Sequence, residues 1–186
     1  MMSLVRELLE ESSSLGIPPV SMEDGLVLMA EAFSVSSLGG KVFLDAGAGV
    51  GFSTFWIMAG MAGVCEGCKV ITIEHEGQRY ERLKVNLERV AGELGLEAEV
   101  VALLGDALQH VEGLEFVDYA FVDIEKQDYP RMLSILERKL SPGGVALFHN
   151  AFQPRPPEEF FSMVNREPWR SKIIPTKDGI MMLRKR

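Results

Sequence analysis

Three glycines at alternate positions, Gly47, Gly49 and Gly51, follow the apolar run Val42-Phe43-Leu44 and precede a second apolar stretch. A loop without Cβ atoms turns tightly and lets its backbone lie against a bound molecule, so the pattern points to a nucleotide-like ligand. The spacing is Gly-x-Gly-x-Gly; a dinucleotide fingerprint needs its third glycine at position 52, which is Phe. This argues against a nicotinamide dehydrogenase. Asp45, two residues before the first glycine, would stand where a pyrophosphate needs N–H donors and no carboxylate, and so suits a cationic ligand better. Glu74 ends the next apolar run, where a carboxylate can accept both hydrogen bonds of a ribose. Asp106, in Leu104-Gly105-Asp106-Ala107, could take an adenine amino group. The same residues also admit a plainer reading, in which the glycines make only a βα turn and the acids cap helices.

The elements that would position these groups are legible as alternating patterns from Lys41 to about Leu147, the signature of βαβ units and a parallel sheet. Val42–Asp45, Lys69–Glu74, Ala98–Leu104, Val117–Asp123 and Val145–His149 read as strands buried on both faces. After Gly77, the residues Tyr80, Leu83, Leu87, Val90 and Leu94 fall on one face of an amphipathic helix. Two helices, Leu4–Glu11 and Met22–Phe33, precede the sheet, broken by Gly16-Ile17-Pro18-Pro19, and could form a lid. At the far end, Lys177-Asp178-Gly179 between Trp169–Pro175 and Ile180–Arg184 predicts an antiparallel hairpin after a short helix.

The register of Asp45-x-Gly47-x-Gly49-x-Gly51, Glu74 and Gly105-Asp106 at the ends of strands one, two and three resembles the S-adenosylmethionine site of class I methyltransferases. That resemblance implies a Rossmann-like, doubly wound α/β sheet, mostly parallel, closed by the antiparallel hairpin. It gives Asp45 and the loop Gly47, Gly49, Gly51 and Ser53 to the methionine part, Glu74 to the ribose, and His75, Asp106 and Ala107 to the adenine side. Farther on, Asp123-x-x-Lys126-x-x-Tyr129 after strand four, with Gly143-Gly144 and His149-Asn150 around strand five, is similar to the catechol and caffeoyl-CoA O-methyltransferase family. The family pattern implies Asp123 and Asn150 as ligands of a divalent ion, usually magnesium, and Lys126 as the group that takes the acceptor's proton. Such a set has a chemical logic: a sulfonium methyl is already activated, so the protein must align an oxygen and remove its proton, which a metal and a lysine can do.

One position departs from the pattern. Where the family has Asp before Asn, this chain has His149, a nitrogen donor that suits softer ions than magnesium. Three readings stay open: a softer metal on Asp123, His149 and Asn150; a metal-free enzyme with His149 as base; or loss of the metal with relaxed chemistry. The residues between Asn150 and the hairpin are few, which would leave the acceptor pocket more open. His75 could edge the adenine pocket, and His110 reads as a surface residue.

The chain has 186 residues, the length of one domain, read as two N-terminal helices over 1–38 and an α/β core over 41–186. Nineteen basic against 27 acidic residues leave a net charge of −8, without the phosphate attraction that drives nucleic-acid binding. No apolar run reaches bilayer length and no signal-peptide pattern opens the sequence, so a cytoplasmic protein with no membrane partner is expected. Cys65 and Cys68 are too few for a zinc site by themselves and read as a plain surface-loop pair, with a disulfide or redox role as the lesser alternative. The sequence thus points to an S-adenosylmethionine-dependent methyltransferase acting on a hydroxyl of a small molecule. The alternatives are a non-catalytic S-adenosylmethionine-binding module and an N- or C-methyltransferase of the same fold. Whether two copies pair as a homodimer is left open.

Overall fold

The structure, a computed structural model, describes residues 2–186. Two helices, α1 (Met2–Ser14) and α2 (Met22–Ser37), lead into β1 (Val42–Ala46), α3 (Phe52–Met61), β2 (Cys68–Glu74), α4 (Gly77–Leu94), β3 (Ala98–Leu104) and α5 (Ala107–Glu112). Then follow β4 (Val117–Val122), a 3-10 turn over Lys126–Asp128, α6 (Tyr129–Lys139), β5 (Leu140–Phe148), α7 (Glu158–Val164), β6 (Trp169–Ile174) and β7 (Ile180–Lys185). The seven strands form one sheet in the order β3-β2-β1-β4-β5-β7-β6. β1 to β5 are parallel, and β7 runs antiparallel to both β5 and β6.

Alternation along the strands divides the core in two. Phe43, Tyr119, Phe121, Val145 and Leu147 face α1 to α4; Leu44, Ala46, Ala120, Val122, Ala146 and Phe148 face α5 to α7. Helix α3 is buried almost throughout, because α2 covers the side turned away from the sheet. A Cβ on Gly60 would stand 2.2 Å from the Met29 carbonyl oxygen, so the two helices approach backbone to backbone. Leu4, Val5 and Leu8 of α1 are buried in the same core. The two N-terminal helices are therefore built into the body rather than laid over it as a lid.

Three departures from the sequence reading have physical reasons. β5 begins at Leu140, five residues early, because Pro142-Gly143-Gly144 continues as an irregular strand whose register against β4 shifts between Val117 and Tyr119. α2 runs on to Ser37 because Val35 and Ser36 are buried and the Ser36 hydroxyl donates to the Ala32 carbonyl. Cys65 and Cys68 are not a surface pair: both are buried at the entry to β2 and joined by a disulfide, with Cα atoms 5.9 Å apart.

Candidate active site

In this order the chain reverses direction between β1 and β4, and open α/β sheets bind ligands at the carboxyl ends of the strands flanking such a point. There the structure opens a cleft of about 1140 Å³. One wall contains Gly47, Gly49, Glu74, His75, Asp106 and Ala107, all singled out above, and the other end Asp123, Lys126, His149 and Asn150.

The glycine loop is tied down by β2. The Gly47 and Ala48 N–H groups donate to the Ile73 carbonyl at 2.9 and 3.0 Å, and the Gly49 N–H donates to Glu74 Oε2 at 2.9 Å. Glu74 Oε1 accepts from the His75 and Glu76 N–H groups, both at 2.9 Å. A loop whose N–H groups are spent in this way presents its bare Cα surface rather than an anion nest. Gly47 has φ +93° and its Cβ would lie 2.2 Å from the Asp123 carbonyl oxygen, so β1 and β4 meet through a gap only glycine leaves. His75, largely exposed, has Nδ1 3.2 Å from Glu74 Oε1. Asp106 caps α5 by accepting from the Leu108 N–H at 2.7 Å.

Two residues assigned to the cofactor lie elsewhere. Asp45 is fully buried beneath the loop, where Oδ2 accepts from the Ser53 and Thr54 hydroxyls at 2.7 and 2.5 Å. Burial pushes its carboxyl up to about 6 against those hydrogen bonds. Asp45 thus anchors the start of α3. Gly51 caps α3 at φ +96° and packs toward Leu83 of α4, outside the cleft. Ser53 lines a smaller hollow of about 40 Å³ beside the loop, together with Gly47, Gly49 and Asp123.

At the other end the side chains form one chain of charges. Lys126 Nζ donates to Asp123 Oδ1 at 2.6 Å, to the Tyr129 hydroxyl at 3.0 Å and to the Ile124 carbonyl at 3.1 Å. Three acceptors thus surround Nζ, and in this arrangement Lys126 is placed as a donor. His149 Nδ1 lies 3.1 Å from Asp123 Oδ2 and Nε2 lies 3.3 Å from Asp24 Oδ2. Burial disfavours the charged ring, but the two carboxylates outweigh it and raise His149 to about 9. Asp24 and Asp123 are both held low, against their burial, by the bonds to His149 and, respectively, by Ser21 and Lys126. Asn150, at φ 57°, turns its amide to the Gln153 carbonyl at 2.8 Å.

The expected metal set does not fit this arrangement. Asp123 has both oxygens bonded and His149 has both ring nitrogens facing carboxylates, while Asn150 braces the loop after β5 through its amide nitrogen, not its oxygen. Among the described residues, the group of His, Cys, Asp or Glu whose ligand atoms converge is instead Asp24, His149 and Asp178, all within 4.8 Å of one another.

Sequence reasoning missed Asp24 and the wall Ile17-Pro18-Pro19, which lines the cleft between α1 and α2. Ser21-x-x-Asp24 is a capping box, and the structure makes it one: the Ser21 side chain accepts from the Asp24 N–H and Asp24 accepts from the Ser21 N–H. That signal locates a helix start, not a partner 125 positions away. Lys177 and Asp178 of the hairpin and Arg79 of α4 also enter the cleft. His110 is half-buried rather than superficial, with Nε2 3.1 Å from the Leu104 carbonyl oxygen.

The raised His149 sets a pH dependence of stability. A histidine charged more readily folded than unfolded stabilises the fold fully below about 6.5 and loses that contribution as the pH rises through about 9. Denaturant unfolding is expected to show a loss of about 3 kcal/mol between those limits. A His149→Gln variant should flatten the curve over that window; an equal slope in both proteins would assign the loss to other groups.

Fold and cleft together define a class I methyltransferase architecture, and the comparisons with known proteins agree. A family model described as "Methyltransferase domain" matches residues 44–151, and the chain belongs to this family. A protein of Mycolicibacterium paratuberculosis named as an O-methyltransferase is 31% identical over 116 residues, 61% of this chain and 49% of that one. One of Mycobacteroides abscessus with the same name is 30% identical over 147 residues, 76% of this chain and 63% of that one. The chain thus spans about half the length of the first of these relatives. The crystal structure of an O-methyltransferase from Bacillus cereus in complex with SAH superimposes with a TM-score of 0.80 at 22% identity, covering 99% of this chain and 91% of that one.

Proposed function

We propose that this chain binds S-adenosylmethionine in the cleft and transfers its methyl group to a hydroxyl oxygen of a small molecule. The observation that carries the reading is the joining, in one cleft, of the Gly47–Gly49 loop and Glu74 with the Asp123, Lys126 and His149 set. A volume of about 1140 Å³ is ample for a nucleoside ligand and a small acceptor side by side. The relatives' name and the SAH complex of the Bacillus cereus protein support the same chemistry.

In this reading Glu74 accepts the ribose hydroxyls, the bare Gly47–Gly49 surface takes the methionine part, and His75, Asp106 and Ala107 border the base. Bound there, the sulfonium offers a methyl carbon whose bond to sulfur breaks with the electron pair left on sulfur. The chain's part is to hold the acceptor oxygen in line and to favour its ionised form. Lys126 and His149 do the latter as cations at the cleft wall, aligned by Asp123. Both are placed as donors to carboxylates, so the acceptor proton goes to water. The acceptor suited to this set is a phenol or enol, acidic enough to ionise beside two cations. The reading extends to a cytoplasmic enzyme: no helix among the described residues is long and apolar enough to cross a membrane, and the net charge of −8 disfavours nucleic acid.

The test joins calorimetric titration of S-adenosylhomocysteine with transfer of labelled methyl to a panel of phenols, catechols and amines. Saturable binding and methylation at oxygen are expected. Lys126→Met should lower turnover at least about tenfold while leaving cofactor affinity within about twofold. Binding without transfer to any acceptor would favour the non-catalytic module, and methylation at nitrogen alone would overturn the oxygen assignment.

A further inference from the structure

Resting on the methyltransferase reading, we infer that this chain replaces a divalent ion at the acceptor end of its cleft with its own side chains. Asp24, His149, Asp123 and Lys126 form a closed row of alternating charge, and transfer proceeds without a metal.

The row is continuous: Asp24 Oδ2 to His149 Nε2 at 3.3 Å, His149 Nδ1 to Asp123 Oδ2 at 3.1 Å, and Asp123 Oδ1 to Lys126 Nζ at 2.6 Å. Two carboxylates face two basic groups. Ionised carboxylates only accept, so the two that flank His149 call for an N–H on each ring nitrogen, which leaves no lone pair for a metal. These four side chains bring two anions against two cations, with Asp178 as a third carboxylate beside Asp24 and His149. Each end is fixed by more than the row itself. Asp24 is fully buried and takes the Ser21 hydroxyl at 2.6 Å and the Ser21 N–H at 3.0 Å, while Lys126 is held by the Tyr129 hydroxyl and the Ile124 carbonyl. The ring of His149 also packs 6.0 Å from that of Phe121. Asp178, the third member of the converging group, stands on the β6–β7 loop. An ion shared by Asp24, His149 and Asp178 would have to displace the proton between His149 and Asp24, and metal titration decides between the two.

Asp24 is a positioning residue in this scheme. It sits on α2, a helix that the strand-end motifs say nothing about, and fixes the outer nitrogen of His149 while Asp123 fixes the inner one.

The experiment uses the intact chain, dialysed against a chelator and analysed for metal content, then titrated calorimetrically with magnesium, manganese and zinc. Methyl transfer to a catechol and binding of S-adenosylhomocysteine are measured on the same sample. The expected result is no retained stoichiometric ion, no saturable metal binding, and turnover within about twofold with chelator or any of the three ions. His149→Asp removes the central cation and leaves carboxylates facing one another; it should gain saturable magnesium binding and, with it, sensitivity to chelator. His149→Gln, folded by its melting curve, should lose turnover without gaining metal binding. Stoichiometric metal in the wild-type chain, or activity lost in chelator and restored by an ion, would overturn the inference. If S-adenosylhomocysteine binds and no acceptor is methylated, the methyltransferase reading fails by itself, and the metal titrations of the wild-type and His149→Asp chains still decide the inference.

Discussion

Gly47→Ala should abolish measurable binding of S-adenosylhomocysteine and lower the melting temperature. The new Cβ would meet the Asp123 carbonyl oxygen at 2.2 Å, and that oxygen belongs to backbone that cannot swing aside. The Asp123 N–H is itself bonded to the Ala46 carbonyl at 2.8 Å, so moving the residue unzips the ends of β1 and β4. A φ of +93° adds strain for any L side chain. With about 2 kcal/mol of strain, a chain of this length should melt about 4–8 °C lower. Gly49→Ala is the control: its Cβ meets only the Ile17 methyl at 3.5 Å and its φ of +57° is the left-handed region other residues tolerate, so binding should weaken without vanishing. Equal, wild-type affinity in both variants would show that the loop is only a turn.

Glu74→Ala should weaken the cofactor about a hundredfold. The side chain accepts three backbone hydrogen bonds, from Gly49, His75 and Glu76, and in the proposed complex it also accepts the ribose hydroxyls. Two charge-assisted bonds of about 1.5 kcal/mol each amount to about two orders of magnitude in affinity. Three buried or half-buried N–H groups are also left without their acceptor, so the loop itself should loosen. Glu74→Gln keeps the shape and one acceptor oxygen and should fall between. A calorimetric affinity unchanged in Glu74→Ala would remove Glu74 from the cofactor site.

The sheet was legible because central parallel strands covered on both faces are written as short unbroken apolar runs; Ala98–Leu104 lies where the sequence puts it, but as an edge strand it is only partly buried, not covered on both faces as expected. The half of the cleft lined by Gly47, Gly49, Glu74 and Asp106 was legible for a related reason: these residues lie at strand ends, one step beyond those runs. Asp45 and Gly51 show the limit of that logic. Spacing puts both in the motif, but strand alternation turns Asp45 under the loop, and Gly51 is needed for the approach of α3 to α4. The acceptor half was less legible because its contacts are long-range. Asp24 meets His149 only after α2 has packed on α3, and no local pattern encodes that meeting. Lys126 illustrates the same gap: its place in the motif was readable, but the three acceptors around its ammonium were not.

The strand order carries a constraint on how the chain can be assembled. β6 has β7 as its partner within the sheet, and β7 also covers the outer side of β5, so the seventh strand in sequence is an interior one. During vectorial synthesis β5, with its buried apolar residues Val145 to Phe148, must wait with an open edge until residues 180–185 have left the ribosome. An exposed apolar edge of this kind is a template for intermolecular pairing. A chain interrupted after Gly179 would thus keep every glycine and acid at the ends of β1, β2 and β3 and still leave the edge of β5 open to pairing with another chain.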